Sequence, residues 1–180
     1  MSKRSRRVTP AIIGSVISLS LLAGCGEEQV EAAVFETVAQ CAASGEYSQA
    51  ECEQYFNEAQ AAHQEAAPQY ANSADCESEF GAGRCAEGPE LSADSGTAVR
   101  HHSYVPLAAG IMIGAAISQP LYRTYMNGRY GAFMTHGGAT VANGVGRTRV
   151  SRSMAVTRPV RSTTTLSRGG FGSRASRASS

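Results

Sequence analysis

Apolar positions near the start of the chain form one short block. Residues 11–23 are a mainly apolar run of 13 residues, which as a helix would be about 20 Å long and too short to cross a ~30 Å hydrocarbon core. A basic cluster precedes it, namely Lys3, Arg4, Arg6 and Arg7. This order of basic start, short apolar run and small residues is typical of a secretory signal peptide, which we place at residues 1–24.

Farther along, apolar positions recur at the spacing of a helix. Ser48 and Glu51 form a capping box that opens this helix, which runs to about Ala67 and is ended by Pro68. Its predicted buried stripe consists of Cys52, Tyr55, Phe56, Ala59 and Ala62. We therefore expect a long amphipathic helix with its charged face in water.

A shorter pattern occurs on both sides of this helix. In each copy an aromatic residue stands six positions before a cysteine: Phe35 before Cys41, and Tyr70 before Cys76. The predicted N-caps of the two short helices are Thr37 and Asn72. The repeated pattern predicts that the two cysteine-bearing helices and the long helix form one compact module.

A second apolar segment runs from Tyr104 to Ile117, with Pro106 near its start and Pro120 shortly past its end. As a helix it would be about 21 Å long, again short of a ~30 Å bilayer core. Gly110 and Gly114 make a GxxxG pattern, which lets helices approach closely in membranes. Three interpretations stay open: membrane or self-association through these glycines, a helix or extended segment that covers the acidic module, and a true membrane span.

These patterns define the expected organisation and fold class. The predicted zones are a signal peptide (1–24), a linker after Cys25 (25–33), an acidic helical disulfide module (34–88), a second linker (89–103), an apolar glycine-containing segment (104–120), and a basic tail rich in Gly, Arg, Ser and Thr (121–180). The expected fold class is a small, mainly-α, disulfide-stapled module followed by a long low-complexity and largely disordered C-terminal region.

Charge divides the mature chain into two opposite halves. All 15 acidic residues lie between Glu27 and Asp94, where the only base is Arg84, whereas residues 95–180 contain no acid. The arginines of the tail that we expect to bind an anionic surface are Arg147, Arg149, Arg152, Arg158, Arg161, Arg168, Arg174 and Arg177. Anionic envelope surfaces, a partner protein and the acidic module itself are candidate partners, and a solvated tail without a fixed partner is the alternative.

The first cysteine stands in a distinctive setting. Leu22-Ala23-Gly24-Cys25 resembles the lipobox of bacterial lipoproteins. The resemblance implies that the Cys25 thiol receives a diacylglyceryl group, that the signal is cut before it, and that the new amino terminus is acylated, so that several acyl chains hold the protein on a membrane. Gly26 follows instead of an aspartate, which by the sorting rule for such lipoproteins favours the outer membrane, facing the periplasm.

The other four cysteines are an even number in an exported module, which indicates two disulfides. Three connectivities are possible. We favour Cys41–Cys52 and Cys76–Cys85, because each pair brackets one copy of the repeated pattern and its glycine turn. Closing loops of this size contributes roughly 2–3 kcal/mol each in the chain-entropy model.

Several blocks of the sequence resemble the uncharacterised YgiB-like lipoproteins of Gram-negative bacteria. Besides the lipobox, the blocks are Cys-x10-Cys, Ala67-Pro68-x-Tyr70, Asp75-Cys76-x-x-Glu79-Phe80-Gly81-x-Gly83-x-Cys85, Val105-Pro106-Leu107-x-x-Gly110, Gln119-Pro120-Leu121, and Thr163-Thr164-Thr165-Leu166-Ser167-Arg168-Gly169-Gly170-Phe171-Gly172. The resemblance covers most of the mature chain, but residues 123–154 depart from the pattern. It implies a location in the cell envelope and no particular activity.

Enzyme chemistry has no clear carrier in this sequence. The histidines are His63, His101, His102 and His136, and no cysteine or acid cluster completes a metal site around them. Nucleophile-elbow, phosphate-loop and dinucleotide motifs are absent, so we predict no catalytic residue, metal or cofactor. Arg168 to Phe171 would suggest RNA binding in a cytoplasmic protein, but export removes nucleic acid as a partner.

Two function hypotheses follow. The first is a lipid-anchored structural or interaction protein with an acidic docking module and an electrostatic basic tail. The second is a redox- or metal-handling envelope factor that uses its cysteines and histidines.

Overall fold

Strands outnumber helices in the computed structural model, which describes residues 27–91, 101–115, 117–160, 165–166 and 171. Its elements are β1 (Gln29–Phe35), α1 (Val38–Ala43), α2 (Gln49–Ala66), β2 (Gln69–Tyr70), α3 (Ser73–Phe80), β3 (Cys85–Leu91), β4 (His101–Pro106), β5 (Gly110–Ile113), β6 (Ser118–Met126), β7 (Arg129–Met134), β8 (Thr140–Ala142), β9 (Gly146–Ser151), α4 (Arg152–Val156) and β10 (Thr165–Leu166). The predicted signal peptide and Cys25 lie outside the described residues.

The largest element is a six-stranded antiparallel sheet in the order β8-β7-β6-β5-β1-β9. It curls until its outer strands meet, where the Thr148 hydroxyl donates to the Val141 carbonyl oxygen at 3.3 Å. The sheet is therefore a nearly closed barrel. Its interior is filled by Ala32, Val34, Met112, Leu121, Phe133, Val141 and Val150, with Ala155 of α4 at one end.

Strand β1 is buried on both of its faces. Ala32 and Val34 point into the barrel, whereas Ala33 and Phe35 point outward into a second core formed with α1 and α2. Strand β5 contributes Ile111 to that second core. Because both faces are covered, β1 ends in a continuous apolar run instead of an alternating one.

A second, smaller sheet has the order β10-β2-β4-β3. Helix α3 packs beside it, and together they enclose an aromatic core. The rings of Tyr70, Phe80, Tyr122 and Phe171 lie edge to face in this core, with centroid separations from 5.0 to 6.4 Å. Leu166 and Phe171, from the C-terminal part of the chain, also pack in this core.

The predicted helices are present at the expected places. Helix α2 begins after Ser48, whose side chain and that of Glu51 form the capping box, and it ends just before Pro68. Thr37 and Asn72 cap α1 and α3. Local signals were sufficient here because a helix cap involves residues only three positions apart.

The predicted fold class is nevertheless wrong. The described residues are mostly β, with 40% strand and 30% helix, instead of a mainly-α module with a largely disordered tail. In the apolar stretch from Tyr104 to Ile117, also considered as a helix, the described residues form the end of β4 and the whole of β5, and β6 begins directly after it. Strands β7, β8 and β9 lie in the region expected to be low-complexity tail, because β9 pairs with β1 and β8 with β7.

The two glycines of the GxxxG pattern lie where backbones approach within the chain. A Cβ atom on Gly110 would stand 2.6 Å from the Phe35 carbonyl oxygen, and one on Gly114 would stand 2.6 Å from the Ala155 carbonyl oxygen. Close packing inside the fold therefore accounts for both glycines. Among the described residues, no helix is long and apolar enough to cross a membrane.

Candidate functional site: the Leu107 groove

The loop between β4 and β5 lies at the surface, in the middle of a shallow groove. Leu107 donates its N–H to the Arg84 carbonyl at 2.8 Å, and Ala109 donates to the Leu121 carbonyl at 2.7 Å. These bonds fix the loop at both ends, while the Leu107 side chain stays 41% exposed. The loop therefore presents an apolar residue to solvent in a fixed position.

A cavity lies on each side of this loop. The first has a volume of about 230 Å³ and is lined by Glu36, Phe80, Arg84, Leu107, Ala109, Arg123 and Tyr130. The second has a volume of about 330 Å³ and shares Glu36 and Leu107 with the first, adding Phe56, Gln60, His63 and Ala108 among others. Because the two cavities adjoin at Glu36 and Leu107, we call them together the Leu107 groove.

Arg123 is the fixed cation of the groove. Its Nε donates to the Gly131 carbonyl at 2.8 Å, and its guanidinium carbon lies 4.6 Å from the centre of the Phe133 ring. The Glu36 carboxylate stands 3.5 Å from its Nη1. The carbonyl, the aromatic face and the carboxylate hold the guanidinium plane in one orientation.

Arg84 is the second cation of the same cavity, and it is half-buried. Within the part of the chain that the structure describes, its guanidinium makes no ion pair and no hydrogen bond. Two arginines therefore line this cavity beside one acid, Glu36. The cavity therefore carries a local positive charge, to which the acidic half of the chain contributes Arg84 and the basic half contributes Arg123.

His63 lies at the other side of the groove and is partly buried. Its Nδ1 is 2.9 Å from the hydroxyl of Tyr122, which is fully buried. Burial lowers the pKa of His63 and raises the pKa of Tyr122. Both groups are therefore neutral at pH 7, and this end of the groove adds no charge.

A buried carboxylate, Glu79, lies behind the groove. Its Oε2 accepts from the Tyr70 hydroxyl and its Oε1 accepts from the backbone N–H of Phe171, each at 2.9 Å. This acid thereby joins α3, β2 and the end of the chain. Sequence reasoning did not single out its role, although it lies in one of the quoted family blocks and Phe171 in another.

The predicted disulfide cysteines are brought together in the favoured pairs. Cys41–Cys52 joins α1 to α2, and Cys76–Cys85 joins α3 to β3. These four cysteines are therefore bridged and present no thiol. His63, His102 and His136 lie apart, and no group of three or more metal-ligating side chains occurs among the described residues.

Three of the four predicted anionic-surface arginines that the structure describes lie beside acids of the same chain. Arg147 lies 2.6 Å from Glu46, Arg152 lies 3.0 Å from Glu28, and Arg149 pairs in register with Glu31. Arg158 is exposed. The other four, Arg161, Arg168, Arg174 and Arg177, lie outside the described residues. Sequence reasoning missed the groove arginines, Arg84 and Arg123, because they lie far apart in the chain and only the fold brings them to one cavity.

The architecture defines a class of protein: a two-disulfide body built on a nearly closed antiparallel sheet, with a basic groove beside one loop. No solved structure matches the chain. The sequence profile of a family described as "Protein of unknown function (DUF1190)" matches residues 29–180, and the chain belongs to this family. The predicted YgiB-like resemblance is thereby confirmed.

Relatives in Gram-negative bacteria carry the name UPF0441 protein, which states no activity. The relative from Klebsiella pneumoniae is 30% identical over 93% of this chain and 81% of its own length. Those from Pectobacterium carotovorum and Yersinia pestis are each 29% identical, over 94% and 99% of this chain and 81% and 86% of their own lengths. The names of the relatives therefore give no function, which has to be inferred from the fold and the groove.

Proposed function

We propose that this chain is a lipid-anchored protein of the cell envelope that acts by binding, and that the Leu107 groove holds an acidic peptide segment of a partner protein. The observation that carries the proposal is the guanidinium of Arg84, which has no ionic partner among the described residues and shares a cavity with Arg123. The proposed binding surface is thus a basic groove on an acidic body, and it differs from the acidic docking module that the sequence suggested.

The lipid anchor rests on the lipobox ending at Cys25. Two disulfides in a small body support an exported location, because disulfides persist in oxidising compartments and are rare in the cytosol. The outer membrane, facing the periplasm, is the location that Gly26 favours.

An acidic peptide fits the groove by charge and by shape. A guanidinium presents donors in a planar fork that matches a carboxylate, which favours Glu, Asp or a chain terminus over a neutral group. Leu107, Tyr130 and Phe80 provide apolar wall on either side of the two arginines. A peptide with alternating acidic and apolar side chains satisfies both features.

The groove is tested by charge removal at Arg84 with a matched control. Arg84→Gln and Arg149→Gln each remove one positive charge, but Arg149 is exposed on β9, outside the groove. The probe is a soluble peptide of alternating Glu and Leu, with a Lys and Leu peptide of the same length as the charge control. Binding is followed by NMR shifts of the Leu107, Ala108 and Ala109 amides.

We expect the acidic peptide to shift these amides and the basic peptide to leave them unchanged. Arg84→Gln should weaken binding about tenfold, since a charged hydrogen bond contributes about 1.5–3 kcal/mol and 1.4 kcal/mol is tenfold in affinity. Arg149→Gln should bind as the parent does. Equal weakening by both variants would contradict a groove site and indicate only a diffuse charge effect.

The anchor is tested in cells by Cys25→Ser. We expect the parent protein to fractionate with membranes and to carry an acylated amino-terminal cysteine by mass spectrometry, and the variant to lose both properties. A parent protein that is soluble, or that begins at another residue, would refute the anchor.

A further inference from the structure

The end of the barrel at which β1 begins is the end nearest to the proposed anchor. We define the α4 end as the region where β1 begins, β9 ends and β6 begins, covered by α4. Ser151 pairs with Gln29, and α4 follows directly. Ala155 of α4 packs over Gly114 in the turn between β5 and β6.

Little chain separates this end from the proposed anchor. Strand β1 begins at Gln29, four residues after Cys25, and a fully extended chain covers at most about 3.3–3.6 Å per residue. The link between Cys25 and Gln29 is therefore no longer than about 14 Å. A lipid on Cys25 necessarily holds the α4 end beside the membrane.

The last part of this link is hydrogen-bonded to α4, which restricts how far the link can extend away from the barrel. The Glu28 carbonyl accepts from the backbone N–H of Arg152 at 2.7 Å, and the Glu28 carboxylate accepts from the Arg152 guanidinium at 3.0 Å. The Ser153 hydroxyl donates to the Glu27 carboxylate. The entering chain and α4 thus form one surface.

Two large apolar side chains are exposed beside this surface. Val156 is 41% exposed and Val160 is 71% exposed. Arg158 stands between them in the chain and makes no ion pair among the described residues. It lines a cavity together with Glu58 and Glu65 of α2 and with Ile117 and Ser118, where β6 begins, which places this segment at the α4 end.

The Leu107 groove lies at the opposite end of the barrel. Glu36 follows the last residue of β1, and β5 begins at Gly110, just after the groove loop. Six residue steps along β1 separate its two ends, a distance of about 20 Å. The exposed hairpin residues Tyr125, Met126 and Tyr130 lie beyond that far end.

We infer that the α4 end seats on the bilayer that holds the Cys25 lipid, with Val156 and Val160 in contact with the headgroup region, and that the groove faces away from the membrane. Arg158 lies at the level of lipid phosphates, to which a cation near a membrane is attracted. This inference rests on the proposed anchor. It adds the orientation of the body and the residues that touch lipid.

The chain contains no tryptophan, so a single introduced tryptophan reports one position. Val160→Trp tests the α4 end. Val145→Trp is the matched control, because Val145 is also exposed, at 50%, but lies before β9, at the groove end. The full lipidated proteins are reconstituted into vesicles of phosphatidylethanolamine and phosphatidylglycerol, with or without bromine on the acyl chains, which quenches tryptophan only at short range.

We expect brominated lipid to quench Val160→Trp, with a blue-shifted emission, and to leave Val145→Trp unchanged. Arg158→Glu in the Val160→Trp background should reduce the quenching. Protein that floats with the vesicles but is quenched equally, or not at all, at both positions overturns the orientation alone. A blue shift that depends on protein concentration and not on lipid shows that a second copy covers the valines and also overturns it. Protein that does not float refutes the anchor, and the orientation with it.

Discussion

Phe171 gives the sharpest test of the unexpected docking of the C-terminal segment. Its ring is 8% exposed and lies 5.0 Å from the Phe80 ring and 6.1 Å from the Tyr122 ring, measured between centroids. Its backbone N–H donates to buried Glu79. The variant Phe171→Ala removes the ring but keeps that hydrogen bond, so it isolates the packing contribution.

The expected loss follows from burial and ring geometry. Burying a phenylalanine side chain contributes about 1.5–3 kcal/mol, and edge-to-face ring pairs add about 0.5–1.5 kcal/mol. We therefore expect Phe171→Ala to lower the free energy of unfolding by about 2–4 kcal/mol, at or just below the usual range for Phe→Ala in a core. The value is at the lower end if the end of the chain undocks before the rest unfolds.

Urea unfolding with the disulfides intact measures this loss directly. Val160→Ala is the matched control, because Val160 is 71% exposed and surface changes of this kind usually stay within about 0.5 kcal/mol. Hydrogen exchange adds a local reading, since undocking should accelerate exchange of the Leu166 and Phe171 amides. If Phe171→Ala proves as stable as Val160→Ala and those amides exchange at the parent rate, the reasoning from the aromatic core is wrong.

Three further predictions concern the body of the fold. Gly110→Ala should lower the free energy of unfolding by about 1–3 kcal/mol, because the new Cβ meets the rigid Phe35 carbonyl; an unchanged urea midpoint would contradict the strand placement. Burial lowers the pKa of His63 from its ordinary 6.5, so protonation favours the unfolded chain. The contribution of His63 to the free energy of unfolding should therefore be constant above pH 6.5 and should fall below it. The variant His63→Gln should lose less stability over the same acidic range. Replacing Cys41 and Cys52 together by alanine should lower the free energy of unfolding by about 3 kcal/mol, because the bridge no longer restricts the unfolded chain. A parent protein that is no more stable than this double variant, and whose stability does not change with reductant, would argue against the bridge.

Sequence reasoning was reliable where the deciding contacts are short in sequence. Ser48 and Glu51 are three positions apart, and Pro68 directly follows the end of α2, so the helix could be read locally. The favoured cysteine pairs are separated by 11 and 9 residues, a range in which helix placement already brings the thiols near each other. Local capping and short loop closure need no knowledge of the rest of the fold.

It failed where a strand depends on a partner elsewhere in the chain. The apolar run at β5 cannot be told from a buried helix by its periodicity, because strands covered on both faces do not alternate. In β9, Arg147 and Arg149 looked like part of a solvated tail, yet the strand pairs with β1, more than 100 residues earlier. The backbone hydrogen bonds of such a pair depend on register and not on side-chain composition.

The sequence by itself therefore determined the capped helices, the short cysteine loops and the opposite charges of the two halves, whereas the signal peptide and the anchor at Cys25 stay predictions. Only the tertiary structure decided that strands from both halves pair in one nearly closed barrel. It also brought Glu36, Arg84 and Arg123 to one cavity and returned Phe171 to the core beside α3. These placements depend on contacts between residues that are far apart in the sequence. A groove forms where separate segments meet, so the sequence of any one segment does not reveal it.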